Sequence, residues 1–326
     1  MHIPSQDVER AIHAVLGGTP LHQVAANFSL DPRTLEDAFD LYRSAGRAAL
    51  DASTQPDWFQ AYVQFRDWQT AEQSVITHLW PALQQAEAEG TITAWWFVRK
   101  FPCWRFRIRS GPSASISAVQ NLMAEKFDTM VAQGAAERWR ESIYEPETYV
   151  LGGPASIEIA HCLFHADSRE LLTYISRQST QAVPSLGRKE LSILLLSTLI
   201  RGAGQEWAEQ GDIWRRVESS RPLPPSTQPE RLHLMRPDLL KLLTLDVSAG
   251  SGLLEARGPL AGLSLWFGAF HSAGKRLEEA ANANRLGRGT RDVVERHVLF
   301  HWNRTGLPAP QQSIVARVAR EVILGE

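Results

Sequence analysis

The chain has 326 residues, a formal net charge of -2 and a hydrophobic share of 44%. A net charge this close to zero argues against a protein that grips nucleic acid by a global positive field, and two cysteines are too few for a disulfide framework. The first ten residues lack the pattern of a secretion signal, and the apolar run near residues 191–200 is too short to span a bilayer, so we expect a cytoplasmic globular protein without membrane contact.

Residues 1–52 are predicted to form a separate accessory module of helix–turn–helix character. Apolar residues at helical spacing predict three helices, with breaks at Gly17-Gly18 and before Pro32. The module carries seven acidic residues against four arginines, which is the wrong charge balance for a DNA reader. We therefore expect it to dock a protein or peptide, or to cap the main domain, and we expect residues 53–57 to be a linker.

The second predicted domain, residues 56–326, begins with alternating strand and helix patterns. Periods of two and of 3.6 residues follow one another in the order β-α-β-β-α-β. The predicted strands are residues 58–65, 92–98, 104–109 and 138–144, and the predicted helices are residues 70–89 and 113–133. This is the order of a ferredoxin-like sheet with both helices on one face, so we expect the other face to be open.

Helical patterns dominate the chain after Gly152-Gly153-Pro154. The predicted helices are residues 157–178, 186–209, 232–245, 261–283, 290–302 and 309–324, with a proline-rich surface loop at 221–230. The expected fold class is therefore α+β. A ferredoxin-like βαββαβ sheet half is followed by a mainly helical half, with a small N-terminal helical module in front.

The strand predicted at residues 104–109 alternates apolar side chains with arginines. A period of two directs its three arginines to one sheet face: Arg105, Arg107 and Arg109. Like charges in a row repel, and a sheet tolerates them where the face meets water, carboxylates or an anionic ligand. The pattern alone leaves open whether this is a solvated strand or an anion site.

Polar groups of catalytic types gather in three other stretches, although no standard catalytic motif is present. Tyr144, Glu145 and Glu147 lie where a strand is predicted to end in a rigid turn, and the two carboxylates are surface charges or partners of the arginines. Two histidine pairs have i, i+4 spacing, His161 with His165 and His297 with His301. Their surroundings are apolar and lack a motif glutamate, so we expect no metal site.

The last histidine has the neighbours that acid–base chemistry requires. His301 is followed by Asn303 and Arg304 near a predicted helix end, where an imidazole suits proton transfer near neutral pH. The competing interpretation is that His301 and Asn303 only cap the helix. Asp167-Ser168 is expected to form a turn.

Four ordered motifs resemble the thiopeptide-type bacteriocin biosynthesis domain, which is related to the C-terminal glutamate-elimination domain of lantibiotic dehydratases. The resemblance spans about residues 56–324, and residues 1–52 fall outside it. The motifs are WFVRKFPCWRFRIR at 96–109, YEPETYVLGGP at 144–154, AHCLFHADS at 160–168 and FHWNRTGL at 300–307.

This resemblance implies a lyase of ribosomally made peptides that uses no cofactor. A separate glutamylating dehydratase subunit esterifies Ser or Thr of a precursor peptide, which consists of leader and core. The elimination domain then expels glutamate to leave dehydroalanine or dehydrobutyrine. Three alternatives stay open. The first is a pyridine synthase, which joins two dehydroalanines in a formal [4+2] cycloaddition and expels the leader. The others are a relative of peptide aminoacyl-tRNA ligases that does not eliminate, and a non-catalytic peptide-binding partner. A homodimer is also left open.

The resemblance also implies site residues, which we expect to meet in one cavity between the sheet and the last helices. Arg105 and Arg107 would bind the departing glutamate, His301 would take the α-proton, and Arg304 would hold the ester carbonyl or a carboxylate. The expected substrate-binding residues are Arg99, Arg109, Tyr144, Glu145, Glu147 and Asn303. Two departures keep the cyclase interpretation open, a shortened turn at residues 101–103 and the absence of a basic residue before Gly152-Gly153.

Overall fold

A computed structural model describes residues 5–53, 57–180, 186–248 and 250–325. The chain divides into two units, residues 1–55 and residues 56–326. Residues 54–56 of the predicted linker lie outside the described residues.

The N-terminal unit contains the three predicted helices, which are α1 (Ser5–Leu16), α2 (Leu21–Asn27) and α3 (Pro32–Ser53). Asp31 begins α3, because its carboxylate accepts a hydrogen bond from the Thr34 amide at 3.0 Å. The unit has its own small core, made of Ala11, Ile12, Val24, Ala25, Leu30 and Leu35.

A four-stranded sheet forms the first part of the second unit. Its strands are β1 (Trp58–Phe65), β2 (Ile92–Lys100), β3 (Cys103–Ser110) and β4 (Ala136–Ser142). The spatial order is β2-β3-β1-β4, and all neighbours are antiparallel. The first three strands confirm the sequence-based prediction, whereas β4 begins and ends two residues earlier than predicted.

The helices between the strands cover one face of this sheet. Helix α4 (Ala71–Ser74) continues through a π-helical turn (Val75–Leu79) into α5 (Trp80–Ala88), and α6 (Ile116–Ala132) follows β3. Helix α6 buries a stripe at helical spacing, Val119, Met123, Phe127 and Met130, because only such a stripe keeps one face on the sheet. The sheet side chains in this core are Phe59, Ala61, Val63, Phe65, Trp95, Phe97, Trp104, Phe106 and Ile108.

The second half of this unit is helical, as predicted. Its helices are α7 (Pro154–Thr180), α8 (Arg188–Gly202), α9 (Trp207–Ser220), α10 (Pro229–Thr244), α11 (Ser264–Asn282), α12 (Thr290–Thr305) and α13 (Ala309–Leu324). The chain is therefore an α+β protein that is mostly helical. None of the helices within the described ranges is long and apolar enough to cross a membrane.

Two helix boundaries differ from the prediction for local reasons. The single helix predicted at residues 186–209 is wrong, because the backbone turns at Gly204 with a φ of +72° and Glu206 starts α9 with a capping box. Helix α12 runs on to Thr305 and ends at Gly306, whose φ is +74°. As a result Arg304 lies in the last turn of the helix and points inward.

Candidate functional site

Side chains from α7 and α12 close the outer edge of β2. His165 Nδ1 lies 3.1 Å from the Trp95 amide nitrogen and 3.0 Å from its carbonyl oxygen. The Phe97 amide donates to Ser168 Oγ at 3.2 Å, and Arg304 Nε donates to the Phe97 carbonyl at 3.1 Å. An edge strand exposes backbone groups that need partners, and here the helical half supplies them.

Asp167 connects this edge to the interior. Asp167 lies within α7, so the predicted turn at this position is wrong. Its side chain is fully buried, with 0% exposed. Its carboxylate accepts hydrogen bonds from Trp266 Nε1 at 2.8 Å, from His301 Nδ1 at 2.9 Å and from Arg304. Burial alone would raise the pKa of Asp167, but His301 and Arg304 lower it, so this carboxylate is an anion held between two basic groups.

His301 and Arg304 are enclosed in the structure. The side chain of His301 is 2% exposed and that of Arg304 is 0% exposed. His301 packs edge-on against Phe270, with 5.1 Å between the ring centroids. One turn earlier His297 is also buried, and burial lowers its pKa to about 4, so it is neutral at physiological pH. These three side chains are therefore enclosed in the helical half.

The predicted arginine row lies on the opposite face of the sheet from α4, α5 and α6. We call the sheet surface that carries Arg105, Arg107 and Arg109 the arginine face. The expectation that this face is open is only partly right. One corner is covered by α7 and by the segment after β4, where Trp96 packs against Phe164 at 4.9 Å.

Arg107 is the arginine at this covered corner, and only 7% of it is exposed. Its cross-strand neighbours are Gln60 and Trp96, which explains both contacts of its guanidinium. Nε donates to Gln60 Oε1 at 2.7 Å, and the guanidinium lies 4.2 Å from the Trp96 ring centroid. Burial lowers its pKa to about 10, so it stays charged at neutral pH. Its Nη1 has no hydrogen-bond partner within the described part of the chain.

The flanking arginines are held by aromatic rings as well. Arg105 lies 4.9 Å from the centroid of Tyr62, and Arg109 lies 6.0 Å from that of Trp58. Arg109 Nη1 also lies 3.5 Å from Glu158 Oε2 on α7. Stacking on rings orients a guanidinium without neutralising its charge, so the row stays cationic.

A tyrosine–histidine pair borders Arg107. Tyr144 Oη lies 2.7 Å from His161 Nε2, and Glu158 Oε1 lies 3.8 Å from the other ring nitrogen of His161. The Tyr144 ring is 5.8 Å from the Arg107 guanidinium. Burial raises the pKa of Tyr144, so its phenol is neutral.

Sequence reasoning missed the residues that complete this corner. His161 was visible only as half of a spaced pair and Trp96 only as the start of a motif. Gln60 and Glu158 were not singled out, because the residues of this corner come from separate elements. In the part of the chain that the structure describes, no group of three or more His, Cys, Asp or Glu residues is placed to hold a metal ion. His161 and His165 instead contact Tyr144 and the backbone of β2.

The remaining predicted residues make no described hydrogen bond to Arg107 or Tyr144, although the charge of Glu147 acts on both. Arg99 is on the core side of the sheet, where it pairs with Glu72 and donates to the Arg304 carbonyl at 2.7 Å. Glu145 and Glu147 are exposed in the segment after β4, and Asn303 is half-buried in α12.

The four residues expected to share a cavity therefore lie in two places. Among the described contacts, His301 and Arg304 meet at Asp167, whereas Arg107 meets Tyr144. Two rings lie between these places, since Arg107 stacks on Trp96 and Arg304 stacks on Phe164, at 4.2 and 4.8 Å from the ring centroids.

One family model matches most of the chain. Residues 58–323 match the family described as the C-terminal part of the lantibiotic biosynthesis dehydratase. No curated protein matches the chain.

Several solved structures resemble this one in fold. The tRNA-dependent lantibiotic dehydratase MibB from Microbispora sp. 107891 is 19% identical with a TM-score of 0.57, over 83% of this chain and 28% of that chain. TsrL is 15% identical with a TM-score of 0.51, over 81% of this chain and 95% of that one. The pyridine synthase TbtD from thiomuracin biosynthesis is 12% identical with a TM-score of 0.55, over 82% and 98%. The chain thus spans 28% of MibB and nearly all of TsrL and TbtD, and identities this low establish the fold alone.

Proposed function

The chain belongs to the family of the lantibiotic biosynthesis dehydratase C-terminal domain, and from this premise we propose that it eliminates glutamate from glutamylated Ser or Thr residues of a ribosomally made precursor peptide. The product is a peptide with dehydroalanine or dehydrobutyrine. The observation that carries the proposal is Arg107, a buried guanidinium on the arginine face with a donor left unpaired.

Elimination requires hydrogen-bond donors that bind the departing glutamate, and Arg107 can supply them. The departing glutamate carries one free carboxylate and gains a second when the Cβ–O bond breaks, and a planar guanidinium binds carboxylates through two parallel bonds. Gln60 and Trp96 already fix the orientation of Arg107. A buried donor without an acceptor costs about 1–3 kcal/mol, and a bound carboxylate would remove that cost.

Arg105 and Arg109 extend the same surface, and we propose that they hold the peptide and the outer carboxylate of the glutamyl group. Both are partly exposed and aligned with Arg107 on β3. Glu145 and Asn303 have no described contact with Arg107, so we propose no direct role for them in binding glutamate, whereas Glu147 is near enough for its charge to act on Arg107.

For His301 and Arg304 we propose a positioning role. The resemblance implies His301 as the base, but the side chain is 2% exposed and Asp167 holds its Nδ1. Arg304 joins that carboxylate to the backbone of β2. These contacts fix the helical half against the sheet and thereby support the corner where Arg107 lies.

The elimination reaction needs a glutamylated substrate, so we propose a separate glutamylating subunit as partner. The chain matches only a C-terminal part of dehydratases and spans 28% of MibB. The acidic N-terminal unit is proposed to dock the precursor peptide or that partner.

Pyridine synthesis is the second candidate. Similarity over 98% of the TbtD chain favours it, as does Val150-Leu151 in place of a basic residue before Gly152-Gly153. A cyclase would use the arginine face to hold a bis-dehydroalanine peptide in place of a glutamyl group.

We also propose that the sheet half is ferredoxin-like. The antiparallel order β2-β3-β1-β4 supports this arrangement, as do the helices that connect β1 to β2 and β3 to β4.

The test is glutamate release from a peptide glutamylated in advance, with the purified full-length chain. Arg107→Lys keeps the charge but loses the planar fork, and we expect release to slow by about 10²-fold. Arg138→Lys is the matched control, because Arg138 is an exposed arginine on β4 that bonds Gln64 at the far end of β1. Equal rates for Arg107→Lys and wild type would remove Arg107 from the site.

A further inference from the structure

The corner around Arg107 holds several buried donors without a hydrogen-bond partner among the described residues, although the charge of Glu147 acts on Arg107 and Glu158 faces His161. We call the side chains of Trp58, Trp96, Arg107, Tyr144 and His161 the donor box. Ring centroids lie 4.8 Å apart for Trp58 and His161, 5.2 Å apart for Trp58 and Tyr144, and 6.0 Å apart for Trp96 and Tyr144. The box is therefore one contiguous wall between β1, β2, β3 and α7.

Four buried nitrogens of the donor box have no hydrogen-bond partner among the described residues. They are Trp58 Nε1, Trp96 Nε1, Arg107 Nη1 and His161 Nδ1. Buried polar groups are normally paired, and indole and guanidinium nitrogens only donate. Because Glu158 faces His161 Nδ1, the donors left for a ligand are Trp58 Nε1, Trp96 Nε1 and Arg107 Nη1, and a group that only accepts, such as a carboxylate or an oxyanion, would satisfy them.

Within the box, His161 is arranged to accept a proton. Glu158 lies on the Nδ1 side at 3.8 Å, which favours a proton on Nδ1 and leaves the lone pair of Nε2 facing Tyr144. The nearby His161 ring lowers the pKa of Glu158, so Glu158 is an anion that would stabilise a positive charge on the ring. Arg109 on the far side of Glu158 keeps that carboxylate in place.

Tyr144 lies between His161 and the solvent side of the box. Tyr144 is half-buried, whereas His161 is 2% exposed, so a substrate would reach the phenol oxygen before the imidazole. Because burial raises the pKa of Tyr144, the phenol does not act as a base unless its proton has a destination. His161 Nε2, at 2.7 Å, is that destination.

We propose that Tyr144 and His161 form the proton-transfer pair of the elimination. Tyr144 Oη takes the α-proton of the glutamylated residue while its own proton passes to His161 Nε2. The electron pair of the broken Cα–H bond forms the Cα=Cβ double bond, and the Cβ–O bond to glutamate breaks. Glutamate leaves as a carboxylate on Arg107, and the extra proton of His161 returns through Tyr144 to solvent. This inference rests on the proposed function.

The other buried histidines lack one part of this arrangement. His301 contacts Asp167 through Nδ1, but it lies in the helical interior against Trp266 and Phe270. His165 contacts the backbone of Trp95 with Nδ1 and lies 3.2 Å from Glu87 through Nε2. Among these, His161 is the histidine bonded to a half-buried hydroxyl beside a cation.

The experiment compares Tyr144→Phe and His161→Gln with wild type in glutamate release from the glutamylated peptide. We expect both variants to be slower by about 10²–10⁴-fold, with peptide affinity unchanged. A peptide deuterated at the α-carbon should give a larger primary isotope effect in both variants than in wild type, because proton removal then limits the rate. Tyr149→Phe is the matched control, since Tyr149 is 62% exposed in the same segment, and it should behave as wild type.

Each outcome decides a different point. Wild-type release together with unimpaired release by Tyr144→Phe would overturn the pair and leave the elimination standing. Slow release without a larger isotope effect, or with weakened peptide binding, would also overturn the pair, because it would show a role in structure or recognition. If wild type releases no glutamate, the proposed function fails and the pair fails with it. Should His161→Gln not fold, Tyr144→Phe alone gives the decision.

Discussion

Asp167 is the buried carboxylate to which two basic groups of the helical half, His301 and Arg304, are bound. It holds His301 and Arg304, and none of the three is more than 2% exposed. Breaking a buried ion pair leaves the remaining charge without compensation, which costs about 3–5 kcal/mol. The carboxylate is therefore expected to matter for stability before it matters for catalysis.

We predict that Asp167→Asn lowers the free energy of unfolding by about 3–5 kcal/mol, because Arg304 is left charged and unpaired. Denaturant unfolding of the full-length chain measures this. Asp238→Asn is the matched control, since Asp238 forms an exposed surface pair with Lys241, and such changes stay within about 0.5 kcal/mol. Equal unfolding midpoints for the two variants would contradict the account.

His301→Ala separates a positioning role from a catalytic one. We predict a loss of stability of about 2 kcal/mol, since a buried hydrogen bond to a charged group is removed. Release of glutamate by the folded variant should fall less than in Tyr144→Phe. A folded, equally stable His301→Ala protein that releases glutamate more slowly by about 10²-fold or more would restore His301 as the base and require α12 to open.

At the scale of elements, Glu72 joins three parts of the fold. It lies in α4 and accepts hydrogen bonds from Arg99 on β2 and from Arg188 on α8, the latter at 2.5 and 2.6 Å. Burial alone would raise the pKa of Glu72, but the hydrogen bonds and charges of the two arginines lower it from 4.5 to about 2. The folded state therefore holds this group as an anion more strongly than the unfolded chain does.

The sign of the pH dependence follows from that shift. Because the folded pKa lies below the unfolded one, the stabilisation is fully present above about pH 4.5 and is lost as the pH falls toward 2. We predict that Glu72→Gln is less stable than wild type at pH 7 by about 3 kcal/mol. The gap should close as wild type is acidified to pH 2, as followed by denaturant unfolding. A gap that stays constant from pH 7 to pH 2 would show that the charge of Glu72 is not responsible.

The periodicity of the sequence predicted most helices and strands correctly, but it did not predict which side chains contact one another. The alternation at residues 104–109 correctly separated Trp104 and Phe106 from the arginines, because side-chain direction in a strand is a local property. The contacts of Arg107 with Gln60 and Tyr144 depend on strand register and on the path after β4, which no local pattern encodes. The break at Gly204 was missed because one positive φ ends a helix whose apolar pattern continues.

The same limit applied to the site. His301 and Arg304 were expected in one cavity, although the predicted helix ended at residue 302 and did not include Arg304. Their common partner Asp167 lies more than a hundred positions earlier in the chain, so nothing in the sequence showed that the three would neutralise one another in the interior. The resemblance supplied the candidate residues, and the structure then showed that they lie in two separate positions.

At the scale of the whole molecule, the N-terminal unit is the part without a family match, since the match begins at residue 58. We predict that deleting residues 1–52 leaves the thermal midpoint of the rest within about 2 °C, because each unit has its own core. The deletion should weaken binding of the precursor peptide or of the glutamylating partner, measured by calorimetry. Duplex DNA binding by the full chain that disappears on deletion would contradict the docking role.

The most direct measurement of the central claim is mass spectrometry of a glutamylated precursor peptide incubated with the full-length wild-type chain. The account predicts one free glutamate for each dehydroalanine or dehydrobutyrine that appears, without added metal or cofactor. A parallel incubation with a peptide that already contains two dehydroalanines should leave that peptide unchanged. An unchanged glutamylated peptide, together with a pyridine ring and expelled leader in the second incubation, would contradict elimination and identify a cyclase.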